Sequence, residues 1–307
     1  MASLPKSRVT QAKAFLNSAV DFGGPYYITL TRHRGVKACK AYICVFVCLV
    51  TKAVHLELAS DLSSETFLSA LQRFIARRGR IQTIFCDNAT NFVGASKQLK
   101  LMQTAAQQES INFKFSPPSG PHFNGLAEAG IKSVKLHLTK VIGDQILSYE
   151  EFNTILTLVE SSLNSRPLTP LSSDIESIDI LTPGHFLMME PPSAVPTPEF
   201  SDLPLNRLSR WQLLQRIHHD FWRRWRQEYL HTLQQRTKWL DPLSPPKIGT
   251  VVLIKDNNVP PGKWNLGKIL DLHPGDDKVA RVATIKTSTG LLKRPLVKLC
   301  PLPSEQS

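Results

Sequence analysis

The sequence contains no long apolar run. The longest such run, Ala41–Val50, falls well short of the roughly 18 residues that span a bilayer. No charged-then-apolar segment of the kind that directs secretion opens the chain. We therefore expect a soluble, internal protein. With 307 residues, of which 42% are hydrophobic, the chain can bury a sizeable core and hold about two domains.

A disulfide framework is also missing. The five cysteines are an odd number, and Cys39, Cys44 and Cys48 lie in or beside the apolar run. We interpret them as small buried hydrophobic residues in a reducing compartment, with a zinc site as the alternative. The nine histidines are scattered and do not show the His-His-Cys-Cys spacing of a zinc-binding domain.

The chain has fewer acidic than basic residues. The formal net charge is +12 and the isoelectric point is about 9.6. A chain with such a charge attracts phosphate and other anionic surfaces, so the composition favours a polyanionic partner. Ser201–Ser307 carries 18 Lys and Arg against 9 Asp and Glu, which places most of the basic excess in the C-terminal third.

The first half of the chain begins with strands and continues with alternating strands and helices. Alternating or continuous apolar residues predict strands at Ala19–Phe22, before a Gly-Gly-Pro turn, and at Ala38–Val50, Ala53–Leu58, Ile81–Cys86 and Ile111–Phe115. Apolar residues at helical spacing, with caps, predict helices from Ser63 or Ser64 to Gly79, over Ala95–Gln107 and Gly125–Ile142, and from Ser148 onward. This order predicts an α/β domain over residues 1–165, with a mixed five-stranded sheet and helices on both faces.

Three further segments follow. A stretch rich in Pro, Ser and Thr predicts a linker over residues 166–204. Over residues 205–240 the spacing of apolar residues predicts one long amphipathic helix, with Trp211 and Trp222 on its apolar side. Short alternating segments divided by Pro-Gly and Gly turns predict a small β-barrel over residues 241–303.

Three acidic residues stand where a metal site can be built. Asp21 lies in the first predicted strand, Asp87 follows a buried strand, and Glu128 lies in the first turn of a helix. Hard divalent cations prefer oxygen ligands, and a strand pair plus a helix N-terminus can gather three carboxylates at one sheet edge. The alternatives are a turn former for Asp87 and a partner of the helix dipole for Glu128. Asp21, between Val20 and Phe22, is costly to bury unless it is paired or bound to metal.

Two lysines follow Glu128 on one side of its helix. Lys132 and Lys135 come four and seven residues later, so they share a face with Glu128. This arrangement would place phosphate-binding charge beside the metals. The alternative is a simple Glu–Lys helix pair, which is a common surface device. The residues alone leave both interpretations open.

Longer motifs resemble one family. They are the run around Asp21, Asp87-Asn-Ala-Thr-Asn-Phe-Val-Gly-Ala95, Pro121-His-Phe-Asn-Gly-Leu-Ala-Glu-Ala129, Asn164-Ser-Arg-Pro-Leu168 and Leu181-Thr-Pro-Gly-His-Phe-Leu187. Together they resemble the integrase region of BEL/Pao-type long-terminal-repeat retrotransposons. In addition, Trp264-Asn-Leu-Gly-Lys268 and Arg294-Pro-Leu-Val-Lys-Leu299 resemble the small domain that closes those polyproteins. The resemblance covers nearly the whole chain.

The resemblance implies a ribonuclease H-like catalytic core followed by a long helix and a small SH3-like β-barrel. It implies that Asp21, Asp87 and Glu128 form a D,D,E triad that binds two Mg²⁺ or Mn²⁺ ions. Such an enzyme trims the 3′ end of a DNA and joins it to a target DNA, and Lys132 and Lys135 would approach the element's DNA end.

The chain departs from the family pattern at two residues and in one domain. Asn124 and Ala127 replace the Gly and Trp expected where the loop meets the helix, which puts the positioning of the DNA end in doubt. No His-His-Cys-Cys cluster precedes Asp21, so we expect the chain to lack the zinc-binding domain that integrases of this kind carry.

The family also implies the partners. Double-stranded DNA would contact the basic residues of the long helix and the small domain. These are Arg223, Arg224, Arg226, Lys263 and Lys268. For the three arginines, a solvated polar surface is the alternative. We expect a homo-oligomer that works in the nucleus after synthesis in the cytoplasm, with no membrane partner.

Two other functions stay open. A domesticated or degraded integrase would bind DNA or chromatin without catalysis, as the missing zinc domain and the two departures near Glu128 favour. A protein-interaction module built on the C-terminal barrel would need the basic excess to be incidental. The loss of a triad acid would have favoured either function, and all three acids are present.

Overall fold

The computed structural model describes most of the chain. The described residues are 9–33, 35–105, 111–116, 125–171, 179–193, 195–204, 207–234, 246–256, 259–276 and 279–303, and their side chains are described except within 103–105 and 125–130. No helix in these ranges is long and apolar enough to cross a membrane.

The elements fall into an N-terminal α/β part and a C-terminal β part. The strands of the first part are β1 (Asn17–Thr29), β2 (Cys39–Cys48), β3 (Val54–Ala59), β4 (Thr83–Cys86), β5 (Asn112–Phe115) and β6 (Leu147–Ser148). Its helices are α1 (Ser64–Arg78), α2 (Thr90–Ala105), α3 (Gly125–Ile142) and α4 (Tyr149–Asn164). Then follow β7 (Thr169–Pro170), β8 (Ile180–Leu181), α5 (His185–Met188) and α6 (Arg210–Leu233). The last strands are β9 (Val251–Ile254), β10 (Leu266–Pro274), β11 (Ala280–Thr287), β12 (Gly290–Pro295) and β13 (Leu299–Pro301).

The first sheet has the strand order β3-β2-β1-β4-β5, and the short β6 pairs with the end of β1. β1, β2 and β3 are antiparallel neighbours, whereas β4 is parallel to β1 and β5 is parallel to β4. The expected mixed sheet is therefore confirmed. β1 and β4 lie side by side at its centre, so residues in these two strands have neighbours on both sides.

Helices cover both faces of this sheet, as expected. On one face α3, α4 and α6 pack on a core that includes Ala19, Ile43 and Val45. On the other face α1 and α2 pack on a core that includes Phe46 and Phe74. Because successive side chains of a strand point to opposite faces, β1 and β2 contribute buried residues to both cores.

The capping signals in the sequence locate helix ends correctly. The side chain of Ser63 accepts a hydrogen bond at the start of α1, and the backbone N–H of Gly79 closes its end. Ser148 and Glu151 form the expected capping box of α4. The predicted bounds of α3 are also confirmed. The loop expected between β5 and α3 lies outside the described residues.

The first strand is longer than predicted. We expected it to end at a Gly-Gly-Pro turn, but β1 continues to Thr29 and remains paired with β2. The pairing register shifts between Gly23 and Tyr26, which absorbs Gly24 and Pro25 as a bulge. Proline lacks the N–H that a sheet ladder needs, and a bulge tolerates that loss without ending the strand.

The long helix α6 packs on the α/β part, against α3 and α4. Trp222 and Trp225 are buried in the core that these helices share with the sheet, whereas Trp211, expected on the same side, is 61% exposed near the helix start. The segment predicted as a linker contains β7, β8 and α5. Within it Arg166 donates to the backbone oxygens of Leu163 and Lys52 and so attaches the segment to the α/β part.

The C-terminal strands form an antiparallel sheet in the order β12-β11-β10-β9-β13. A 3-10 helix, Leu296–Lys298, connects β12 to β13. A small core on one face includes Val252, Ile269 and Ile285. The indole N–H of Trp222 in α6 donates to the backbone oxygen of Val259 at 2.8 Å, so the sheet is attached to the long helix.

Candidate active site

The pairing of β1 with β4 brings two of the predicted acids together. Asn17 pairs with Thr83 and Ala19 pairs with Phe85. Continuing this parallel register by two residues sets Asp21 beside Asp87, the residue directly after β4. Neighbouring strands lie about 4.8 Å apart, so the two carboxylates arise from adjacent backbone positions. Two-residue periodicity also puts both on the sheet face that α3 covers.

Asp21 lies in the middle of β1, opposite Val45 of β2. Its side chain is 39% exposed. One carboxylate oxygen, Oδ1, accepts from the backbone N–H of Phe22 at 2.7 Å. The other, Oδ2, accepts from the ammonium group of Lys135 at 2.6 Å. The cost of placing an acid in this apolar strand is thus reduced by partial exposure and by pairing.

Asp87 is exposed in the turn between β4 and α2. Its Oδ1 accepts from the backbone N–H of Ala89 at 3.1 Å, which is the turn geometry expected of an aspartate here. Beside it the amide of Asn88 donates to the backbone oxygen of Ser116 at 2.9 Å. This hydrogen bond connects the turn to the end of β5, so it restrains the backbone that carries Asp87.

Helix α3 supplies Lys135 and is itself fixed by α6. Its residues Ile131 and Val134 are buried in the core against the sheet. On its other side, Glu228 of α6 accepts from the hydroxyl of Ser133 at 2.9 Å and bonds the ring of His137 at 2.5 Å. The helix is thereby held between the sheet and α6.

Glu128 belongs to α3, but its side chain lies outside the described residues. It precedes Lys135 by seven residues, which is nearly two helical turns, so both positions lie on one side of the helix and about 10 Å apart along its axis. Among the described side chains no three His, Cys, Asp or Glu residues are grouped closely enough to hold a metal ion. Glu128 is not among these side chains.

The residues present fit a hard divalent cation. Asp21 and Asp87 offer carboxylate oxygens, which are the ligands that Mg²⁺ and Mn²⁺ prefer. The ammonium group of Lys135 already places one positive charge against Asp21. The two carboxylates would therefore attract a cation, and the ammonium group of Lys135 would oppose its binding at Asp21.

The nearby cysteines add neither a thiolate ligand nor a nucleophile. Burial, and after it the charge of Asp87, raises the pKa of the Cys86 thiol from 9.0 to about 12. Burial also raises the pKa of Cys44, with smaller contributions from Glu57 and Asp21. Both thiols stay protonated at neutral pH, as expected of buried hydrophobic cysteines.

Arg226 was expected to contact DNA, and the structure corrects this expectation. It is buried, and its guanidinium donates to the backbone oxygens of Asp256 and Ile254. It therefore joins α6 to the C-terminal sheet. Arg223 and Arg224 are exposed on the same helix, where Arg223 also pairs with Asp220. The difference arises because the sheet packs on only one side of α6.

The expected lysine contacts differ in the same way. Lys268 is buried in β10, with 7% of its surface exposed, so its side chain does not present a free charge to a DNA backbone. Lys263 lies in the turn before β10 and is exposed. Lys132, on the first described turns of α3, is also exposed.

Sequence reasoning did not single out Gly23 or Glu228. Gly23 follows Asp21 by two residues and faces the same side of β1, next to the Lys135 side chain. Glu228 lies in α6 and connects it to α3 through hydrogen bonds. Gly23 lies two residues after Asp21 and directly after a predicted strand, so the sequence could have placed it on the same face as that acid. The partners of Glu228 are distant in sequence and gave no local signal.

Comparisons with known proteins describe two levels of similarity. Residues 209–302 match DUF5641, a family of unknown function, and this stretch runs from the cap of α6 to the residue after β13. No curated protein matches the chain. The chain is similar to a chain of the cryo-EM structure of the simian T-cell lymphotropic virus intasome in complex with the PP2A regulatory subunit B56 gamma, with a TM-score of 0.40 and 16% identity, over 99% of this chain and 85% of that chain.

Proposed function

We propose that this chain is an integrase of the BEL/Pao retrotransposon type, which transfers a DNA 3′ end to target DNA. The observation that carries the proposal is the register of β1 and β4, which sets Asp21 beside Asp87 on the face covered by α3. Glu128 lies near the start of that helix. In this proposal the three acids are the D,D,E triad.

The topology supports a ribonuclease H-like core. Three antiparallel strands come first, and β4 and β5 are then added in parallel on the other side of β1. In α/β sheets, ligands bind beyond the carboxyl ends of parallel strands, and Asp87 directly follows the end of β4. We also propose that the C-terminal antiparallel sheet is an SH3-like barrel.

In the proposed reaction, Asp21, Asp87 and Glu128 would hold two Mg²⁺ or Mn²⁺ ions. When bound, these ions activate the attacking oxygen and stabilise the leaving oxygen in an in-line displacement at phosphorus. The protein's own residues set the position of the substrate. The β1–β4 edge fixes the carboxylates on strand backbone, and exposed Lys132 supplies a positive charge for a phosphate of the DNA end.

DNA binding would draw on the exposed basic residues. In α6 and the C-terminal sheet, Arg223, Arg224 and Lys263 are the expected contacts that remain exposed. Contacts of this kind neutralise phosphates without reading sequence, so the affinity falls as salt rises. The net charge of +12 agrees with such a partner. We further propose that the protein forms homo-oligomers on DNA and acts in the nucleus.

The test is phosphoryl transfer on a branched DNA that represents the joined product. Reversal of the joining step would resolve this substrate, and because the substrate already contains the junction, the assay does not require capture of a separate target. The chain is incubated with labelled branched DNA and Mn²⁺, and wild type is compared with Asp87→Asn and Glu128→Gln. The matched control is Asp202→Asn, which removes one charge from an exposed aspartate outside the proposed site.

We expect resolved DNA with wild type and with the Asp202 control, and a loss of at least about a thousandfold in the two site variants, since a metal ligand acts directly on the reacting atoms. Product formation that survives both site substitutions would overturn the D,D,E assignment. Absence of product with wild type, alongside salt-sensitive binding of the same DNA, would overturn catalysis by this chain.

A second function is favoured by the ion pair between Lys135 and Asp21. This pair neutralises the carboxylate without a metal ion, which is compatible with a protein that binds DNA or chromatin without catalysis. Under that alternative, exposed Arg224 and Lys263 would still bind phosphate, and Asp87→Asn would leave every measured property of the protein unchanged.

A further inference from the structure

The amine of Lys135 crosses from α3 to the sheet to reach Asp21. The Nζ–Oδ2 distance is 2.6 Å, and the two side chains are 28% and 39% exposed. At this distance the contact is a charge-assisted hydrogen bond. It joins the helix that carries Glu128 to the strand that carries Asp21, inside the proposed site.

The path of the Lys135 side chain depends on Gly23. A Cβ atom at Gly23 would lie 2.7 Å from Cγ of Lys135 and 3.0 Å from its Cδ and Cε. The first distance is shorter than real Cβ contacts, and the other two are tight, so the lysine stem would have to shift. The backbone of Gly23 does not adopt the left-handed conformation that favours glycine, so the backbone gives no separate reason for a glycine here. The absent side chain is what leaves room for the lysine stem.

Both oxygens of the Asp21 carboxylate are engaged. Oδ1 accepts from the N–H of Phe22, which belongs to the strand backbone and cannot move away. Oδ2 accepts from Lys135, whose long side chain can leave by rotation about its own bonds. The positive charge of the ammonium group, 2.6 Å from Oδ2, repels a cation that approaches Asp21, and of the two donors only the ammonium group can move away.

We propose that Lys135 is an internal counter-ion of Asp21, and that a divalent cation must displace its ammonium group to bind. Gly23 is the positioning residue that allows the pair to form. The proposal rests on the proposed function in one respect, namely that Asp21 is a cation ligand. It adds a competition within the site, which lowers the affinity for the cation in the absence of DNA.

The test is a calorimetric titration of the purified full chain with Mn²⁺ alone. Lys135→Gln removes the competing charge, and Gly23→Ala keeps that charge but pushes the lysine stem aside. We expect both variants to bind Mn²⁺ about fivefold more tightly than wild type, which corresponds to a partly exposed ion pair. The matched control is Lys140→Gln, which removes an exposed charge from the same helix and should bind as wild type does.

A second measurement does not depend on the heat signal. The rise in the thermal unfolding temperature on addition of Mn²⁺ should be larger for Lys135→Gln than for wild type, since tighter binding to the folded state stabilises it more. Circular dichroism before titration establishes that each variant is folded. A variant that fails to fold is replaced in the comparison by the other one.

An Asp21→Asn arm separates the two proposals. Suppose that wild type binds Mn²⁺ and that Asp21→Asn abolishes this binding. If Lys135→Gln and Gly23→Ala then bind no more tightly than wild type, the cation site stands and the counter-ion proposal is overturned. If neither wild type nor Lys135→Gln binds Mn²⁺, the proposed cation site and the counter-ion proposal are both overturned.

Discussion

Two pairs of acids at the first sheet are in opposite situations. At the edge strand β3, Glu57 and Glu160 are nearly buried. Glu57 pairs with Arg73, Arg77 and His55, and Glu160 pairs with Arg78 and the same histidine. At the β1–β4 edge, Asp21 is partly exposed with one charged partner, and Asp87 is exposed. Glu57 and Glu160 form hydrogen bonds and ion pairs with protein groups and so stabilise the fold. Asp21 and Asp87 keep exposed surface that a ligand can reach.

Glu57 shows how complete the pairing is at the β3 edge. Its carboxylate accepts from Arg73 at 2.6 Å and from Arg77 at 3.0 Å, and it bonds the ring of His55 at 3.0 Å. Burial alone would raise the pKa of Glu57, but the bonds to His55 and Arg73 outweigh it, and the pKa is lowered from 4.5. The charged form is the one the fold requires.

Glu160, the second acid, bonds the outer backbone side of the edge strand β3. Glu160 of α4 accepts from the backbone N–H of Leu56 at 2.8 Å and also pairs with Arg78 of α1. One turn later, the amide of Asn164 bonds both the N–H and the carbonyl oxygen of Val54. Side chains thus replace a further strand, and they join the helices of both faces to the edge strand β3.

The largest effect that distinguishes the two edges is on stability. Glu57→Gln should lower the free energy of unfolding by about 3 kcal/mol, because it leaves buried His55 and two arginines without their acid. Asp87→Asn should change it by less than about 0.5 kcal/mol, since Asp87 is exposed. Urea unfolding of the two variants measures the difference. Equal losses would mean that the two edges do not differ in their contribution to the fold.

The side chain that replaces a strand gives the next largest effect. Asn164→Ala should cost about 2 kcal/mol, because Val54 loses the partners of both its backbone groups at a buried edge. Asn153→Ala, on the exposed side of the same helix, is the matched control and should have little effect. Urea unfolding again provides the measurement. A loss of the same size in both variants would assign the effect to the helix and not to the edge.

The two kinds of arginine in α6 extend the comparison to DNA binding. Arg226→Gln should destabilise the chain by about 1.5 kcal/mol, because the carbonyls of Asp256 and Ile254 lose a charged donor. Arg224→Gln should leave stability unchanged and reduce the slope of log affinity against log salt by about 0.9. Unfolding and DNA binding at several salt concentrations give the two readouts. An unchanged slope in Arg224→Gln would remove it from the proposed DNA contacts.

The smallest predicted effect is the pH dependence of the β3 edge. Burial alone would lower the pKa of His55, but its bonds to Glu160 and Glu57 outweigh burial, and the pKa is raised above 6.5. The stability from protonated His55 is therefore fully present below about pH 6.5 and is lost as the pH rises through the raised folded pKa. Urea unfolding at about pH 6 and about pH 8 measures this loss as a difference: the change in stability between the two pH values should be less favourable in wild type and in His33→Gln, an exposed control, than in His55→Gln.

Local signals in the sequence were enough for much of the fold. The capping box of Ser148 and Glu151, the cap at Ser63 and the stop at Gly79 each act within one turn of the backbone, so they located helix ends. The bulge in β1 was missed because it depends on pairing with β2, which holds the chain extended past Pro25.

For the candidate site, too, the position of acids in or after strands could be predicted from the sequence, and side-chain contacts between distant segments could not. The neighbourhood of Asp21 and Asp87 follows from the parallel pairing of β1 with β4, because Asp87 follows the end of β4 and the register sets Asp21 beside it. The pairing of Lys135 with Asp21 could not be predicted, because it joins residues far apart in sequence. The burial of Arg226 and Lys268 likewise depends on packing of α6 and the C-terminal strands, which a charge count does not contain.

The most direct test of the central claim locates the cation on the chain itself. Fe²⁺ is bound in place of Mg²⁺, and ascorbate with peroxide then generates radicals that cut the nearby backbone; mass spectrometry maps the cuts. The account predicts cuts beside Asp21, beside Asp87 and in the first turn of α3, all lost in Asp87→Asn and retained in Glu57→Gln. Cuts near Glu57 and Glu160, or cuts spread along the chain without preference, would contradict it.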